Sequence, residues 1–80
     1  MEDREALRKE LDAQIAETGD RLLKYFAFAH LPPKLASVSA GFARLAIDIV
    51  RNGELRDPAE RTVALRKLLE GKDAAVRSAL

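Results

Sequence analysis

Eighty residues carry 14 Lys+Arg against 13 Asp+Glu, 48% hydrophobic and 34% charged positions, one His, and no Cys or Trp. This composition excludes a disulfide scaffold, a zinc site built from Cys or His, and a disordered tail, and the length leaves room for one domain, residues 1–80. A core of this size supplies on the order of 3–5 kcal/mol, so self-association is the expected source of further stability.

Charge is unevenly distributed: residues 1–20 carry a net −4 and residues 21–80 a net +5, so the two parts attract each other between chains. The overall +1 argues against non-specific binding of DNA or RNA polymers. No stretch approaches the roughly 18 apolar residues of a membrane span, and the charged start MEDREALRKE lacks the apolar centre of a signal peptide. A cytosolic protein is expected.

The first segment, from about Glu2 to His30, places Leu7, Leu11, Ile15, Leu22 and Phe26 near multiples of 3.6, which predicts one long amphipathic helix. Gly19 marks a bend or a close helix contact within it. Pro32 and Pro33 disfavour the α conformation before them, so the helix must stop or kink there.

Pro33 suits the first position of a second helix, where its missing N–H has no intrahelical partner. Leu35, Val38, Phe42, Leu45 and Ile49 then form a heptad seam, while Ala36, Ala40, Ala43 and Ala46 keep the helix thin enough for close approach. Asn52-Gly53 reads as a left-handed C-terminal stop. Asp57-Pro58-Ala59-Glu60 combines an N-cap acid, proline at N1 and a glutamate at N3, which starts a third helix at Pro58. That helix carries Val63, Leu65, Leu68, Leu69, Val76 and Leu80 among five basic residues. The expected fold is all-α: a three-helix protomer with a long N-terminal helix and two further antiparallel helices, assembling into a compact homo-oligomer.

The inventory for catalysis is thin, with no nucleophile–base pair, metal cluster or glycine-rich phosphate loop at a recognisable spacing. No catalytic residue, metal or cofactor is expected. His30 reads either as a base or as a helix-terminal histidine favoured by the local dipole. The densest signal is residues 24–34, where Tyr25, Phe26 and Phe28 are flanked by Lys24, His30 and Lys34. Aromatic faces beside cations suit a ligand with flat bases and phosphates. Core packing is the competing explanation, but on a helix Tyr25, Phe26 and Phe28 cannot all face one stripe.

These residues carry a resemblance. Phe26-x-Phe28-x-His30-Leu31-Pro32-x-x-Leu35 followed by Ser39, Phe42 and Leu45-Ala46, then Pro58-x-Glu60-Arg61-x-x-Ala64-Leu65-x-Lys67-Leu68 and Lys72-Asp73-Ala74-Ala75-Val76-Arg77, resemble the small phage anti-CBASS proteins that act as sponges for cyclic oligonucleotide signals. The resemblance covers about residues 24–80. It implies a compact homohexamer, located in the cytoplasm of the infected bacterial host, that holds cyclic dinucleotides between paired protomers and, as in some members, cyclic trinucleotides in separate pockets where three protomers meet. It implies sequestration without cleavage, so that bacterial immune effectors stay inactive. The dinucleotide site would use Phe28, His30 and Arg44, with Tyr25 and Lys34 as neighbours; the trinucleotide site would use Arg77 and Lys72. Two departures stand out: Ala29 occupies the position before the histidine where relatives have an aromatic, and Ala46 falls where a threonine is associated with the second pocket.

The main alternative is a helical interaction or adaptor module acting through the apolar face of residues 35–49. A helical DNA binder would need a more strongly basic recognition face than the third helix offers. Arg44 and Arg77 also have a simpler reading, as i,i+4 partners of Asp48 and of Asp73.

Overall fold

The computed structural model describes residues 4–80, with side chains described from Arg8 onward. Its elements are α1 (Arg4–Thr18), a 3-10 turn (Leu23–Phe26), α2 (Pro33–Arg51) and α3 (Pro58–Ala79), with no strand among the described residues.

α1 ends twelve residues before His30 because its stop is built locally. Gly19 takes φ +66, its amide donates to Ala16 O at 3.3 Å, and the Thr18 hydroxyl donates to Ile15 O at 2.7 Å. Glycine enters the left-handed region without the Cβ clash that other residues suffer. Asp20 then accepts through Oδ1 from the Leu22 and Leu23 amides, at 2.9 and 3.3 Å, and seeds the 3-10 turn. The expected single helix from Glu2 to His30 is thus corrected to a helix, a turn and a loop. Leu11 and Ile15 are buried as their spacing predicts, while the side chain of Leu7 lies outside those described.

After the turn Ala27 is extended (φ −60, ψ 137), which turns the next side chain through a new direction. Phe26 and Phe28 therefore both enter the core, 1% and 0% exposed, while Tyr25 stays 53% exposed. The three rings do not share one face, as expected, since Tyr25 points outward; Phe26 and Phe28 share the core because the extended Ala27, not helical spacing, sets the side of Phe28. The loop is fixed from across the fold: Asp12 on α1 accepts from the Phe28 amide through Oδ1 at 3.1 Å and from the Ala29 amide through Oδ2 at 3.0 Å. A turn closed by the Leu31 amide on Phe28 O (3.0 Å) puts His30 at its exposed tip, in a loop and not at the end of a helix of its own.

α2 begins at Pro33, as expected, and is the central element, packing against α1, the 3-10 turn and α3. Its buried stripe is the thin one: Ala36, Ser39, Ala43 and Ala46 with Ile47. Small residues here make room for the bulky Leu11, Ile15, Leu23, Phe26 and Phe28 of the same core, a large-against-small arrangement. The heptad seam Leu35, Val38, Phe42, Leu45 and Ile49 is only half-buried, and Leu45 is 49% exposed. Ser39 is 1% exposed and its hydroxyl has no hydrogen-bond partner among the described residues.

α2 does not end on a left-handed glycine. Asn52 is extended (φ −75, ψ 112), and its side chain accepts from the Glu54 amide at 2.9 Å while its carbonyl accepts from the Leu55 amide at 3.2 Å. Asparagine thus closes the turn through its own side chain, and Gly53 needs no positive φ. α3 starts as expected, with Asp57 Oδ1 accepting from the Ala59 and Glu60 amides at 3.0 and 3.3 Å. It continues through Gly71, where an added methyl would sit 3.7 Å from the Phe42 ring, an ordinary contact. Leu65 is buried and Leu68, Leu69 and Val76 half-buried, but Val63 and Leu80 are exposed. Leu45 on α2 and Val63 on α3 leave apolar surface open on both helices.

Candidate functional site

The 3-10 turn and its loop form one wall of a surface cleft of about 430 Å³, and the last two turns of α3 form the other. The first wall supplies Lys24, Tyr25, Ala27, His30 and Leu31; the second supplies Lys72, Asp73, Val76 and Arg77. Spacing explains the second set: Lys72, Asp73, Val76 and Arg77 are one turn apart in pairs and so share a side of α3. Ala27, Leu31 and Val76 are the apolar part of the lining, and the other residues are polar or charged. A size of this order is in the range of small-molecule sites.

Tyr25 is the one aromatic ring offered to solvent here, and Lys24 Nζ lies 5.2 Å from its centroid. The ammonium covers the ring electrostatically, a cation–π contact worth about 0.5–1 kcal/mol at an exposed position. Lys72 is the strap between the walls: its ammonium donates to Tyr25 O at 3.0 Å and pairs with Asp73 Oδ1 at 3.2 Å. Its side chain is only 14% exposed, so its charge is partly committed before any ligand arrives.

The structure brings together Tyr25, His30, Lys72 and Arg77, which the sequence divided between two ligand sites. It does not bring in the other three. Phe28 is wholly buried, so its ring has no face for a base in this protomer; the extended residue Ala27 and the Asp12 clamp turn it inward. Arg44 and Lys34 are exposed on α2 and do not line the cleft. Asp73 pairs with Lys72 and not with Arg77, the i,i+4 partner that the spacing suggested.

Two contributors escaped the sequence reading of the site. Asp12 stands sixteen residues before the amide of Phe28, and no local pattern announces a contact at that separation. Asp73 was legible only as an ion-pair partner, yet it places a carboxylate in a basic cleft. Among the described residues no group of three His, Cys, Asp or Glu could hold a metal ion, and no helix is long and apolar enough to cross a membrane. Comparison with protein-family models, with curated proteins and with solved structures finds no match to this chain.

Proposed function

We propose that the protein binds and sequesters cyclic oligonucleotide second messengers, cyclic dinucleotides foremost, without cleaving them. One observation carries the reading: a single cleft combines the exposed Tyr25 ring, the apolar side chains of Ala27, Leu31 and Val76, and the cations of Lys24, Lys72 and Arg77 beside His30. A nucleobase stacks on the ring, at about 1–3 kcal/mol per base, while the basic groups meet the phosphates. Stacking and phosphate pairing bind the ground state of such a ligand and offer no preference for a transition state, which is the logic of a sponge. The sequence resemblance to anti-CBASS sponges supports the same ligand class, and with it a homohexamer acting in the cytoplasm of an infected bacterium to keep immune effectors inactive.

Phe28 has no ligand role in this reading, and Tyr25 takes its place as the stacking ring. Lys72 and Arg77 join His30 in one composite site within the protomer. Titration calorimetry against cyclic di- and trinucleotides, with the ligand recovered afterwards by heat denaturation and chromatographed, tests the proposal. Saturable binding and intact ligand are expected. Linear or monomeric nucleotide produced with turnover would make the protein an enzyme, and absence of binding would refute the reading.

A second reading has one observation in its favour. Leu45 is 49% exposed beside the half-buried Val38 and Leu35, so α2 keeps an apolar stripe on the side away from the Ala36–Ala43–Ala46 face. A helical adaptor would dock a partner protein there. Substituting Leu45→Glu separates the two: it abolishes adaptor binding but leaves the cleft residues unchanged.

A further inference from the structure

One group in the cleft has the wrong sign for phosphate. Asp73 presents a carboxylate among Lys24, Lys72, Arg77 and His30, and a site selected for anion binding alone has no use for it. We propose that Asp73 is the specificity-determining residue of the cleft, selecting a ligand whose base offers two adjacent N–H donors, that is, a guanine-bearing cyclic dinucleotide. The assignment rests on the cyclic-nucleotide reading above and adds to it the identity of the base.

The geometry supports this in three steps. Asp73 is held in place: Oδ1 lies 3.2 Å from Lys72 Nζ, and the same ammonium is anchored 3.0 Å from Tyr25 O on the opposite wall. The carboxylate is thereby tied to the backbone of the residue that supplies the stacking ring. It also remains available, since its side chain is 50% exposed and Oδ2 has no partner among the described residues. An ionised carboxylate accepts through both oxygens and retains lone pairs after one ion pair is made.

Tyr25 and Asp73 line the same cleft from its two walls, so a base stacked on Tyr25 has the Asp73 carboxylate as the acid partner offered to its edge. Guanine presents N1–H and N2–H side by side on its Watson–Crick edge, a pair that matches the two oxygens of a carboxylate. Adenine offers one amino group next to a ring nitrogen whose lone pair faces the carboxylate and repels it. Lys72, Lys24 and Arg77 against Asp73 leave a net of two positive charges, equal to the two phosphodiester charges of a cyclic dinucleotide. The acid therefore reads the base without leaving the phosphates uncompensated.

The test is calorimetric titration of the intact protein and of Asp73→Asn with cyclic di-GMP and cyclic di-AMP at one salt concentration, with circular dichroism to verify that the variant is folded. The wild type is expected to bind the guanine ligand at least ~10-fold more tightly, the discrimination typical of a bidentate base contact. Asp73→Asn should remove that preference, because its amide offers one acceptor and one donor where guanine needs two acceptors. Equal wild-type affinities overturn the assignment. So does a preference that survives the substitution, or a uniform tightening of both ligands in the variant, which would make Asp73 a competing anion only. If the wild type binds neither ligand, the cyclic-nucleotide reading itself is refuted, an outcome distinct from binding without base preference.

Discussion

Removing the Asp12 carboxylate is expected to have a disproportionate effect for one partly buried side chain. Its two oxygens accept the Phe28 and Ala29 amides at 3.1 and 3.0 Å, and these are the contacts that tie the loop to α1. Hydrogen bonds to a charged acceptor contribute about 1.5–3 kcal/mol each, and partial solvent access puts these at the lower end. Asp12→Ala should cost ~2–4 kcal/mol, with the Phe28 amide left without its acceptor beside a fully buried ring. For a domain of this size that corresponds to a fall in Tm of roughly 10–25 °C. Asp12→Asn keeps one acceptor and should lose about half as much. Urea unfolding followed by circular dichroism at fixed protein concentration measures the difference, which matters because any assembly makes stability concentration-dependent. Glu10→Ala, at an exposed position on the same helix, is the control and should stay within ~0.5 kcal/mol. An Asp12→Ala variant as stable as that control would refute the claim that this carboxylate fixes the loop.

Ser39→Ala should be neutral or stabilising by up to ~1 kcal/mol, since it removes a buried hydroxyl without a partner among small neighbours; a loss above ~1 kcal/mol in urea unfolding would mean that the hydroxyl is satisfied in solution. Gly19→Ala should destabilise by ~1 kcal/mol or more although nothing lies within 4 Å of an added methyl, because the cost is conformational at φ +66; an unchanged midpoint would show that α1 ends differently. Lys72→Met should lower stability by about 1 kcal/mol, as removal of the strap frees Tyr25 O from its donor, and should also weaken ligand binding; a variant that binds as wild type does would remove Lys72 from the site.

Where the chain announces its structure, it does so through local chemistry. Pro33 and Pro58 mark helix starts because a missing N–H is harmless there, and Asp57 two and three residues before unpaired amides has an obvious cap to make. The end of α1 was hidden because Leu22 and Phe26 continue the helical spacing of Leu11 and Ile15 past Gly19, so periodicity outvoted one glycine and one aspartate. The burial of Phe28 was hidden for the same reason: only the extended backbone of Ala27, secured by a carboxylate on another element, turns it inward. On α2 the alanines were legible as a thin face for close approach, and that face is the buried one, while the bulky seam stays half-buried. Tyr25, His30, Lys72 and Arg77 were visible as residue types, but their meeting across 47 positions, from Tyr25 to Lys72, is a property of the fold. Arg44 was placed by alignment to a motif alone, and the helix turns it to the open side.

Tyr25 is the single tyrosine in a chain without tryptophan, so the intrinsic fluorescence of the protein reports from the wall of the cleft. Titrating cyclic di-GMP while following that emission, with free N-acetyltyrosinamide to correct for absorption by the nucleotide, tests directly whether a base stacks there. Saturable quenching at the concentrations where calorimetry records binding is expected. Binding heat with unchanged tyrosine emission would contradict it, because the ligand would then occupy some place other than the Tyr25 cleft.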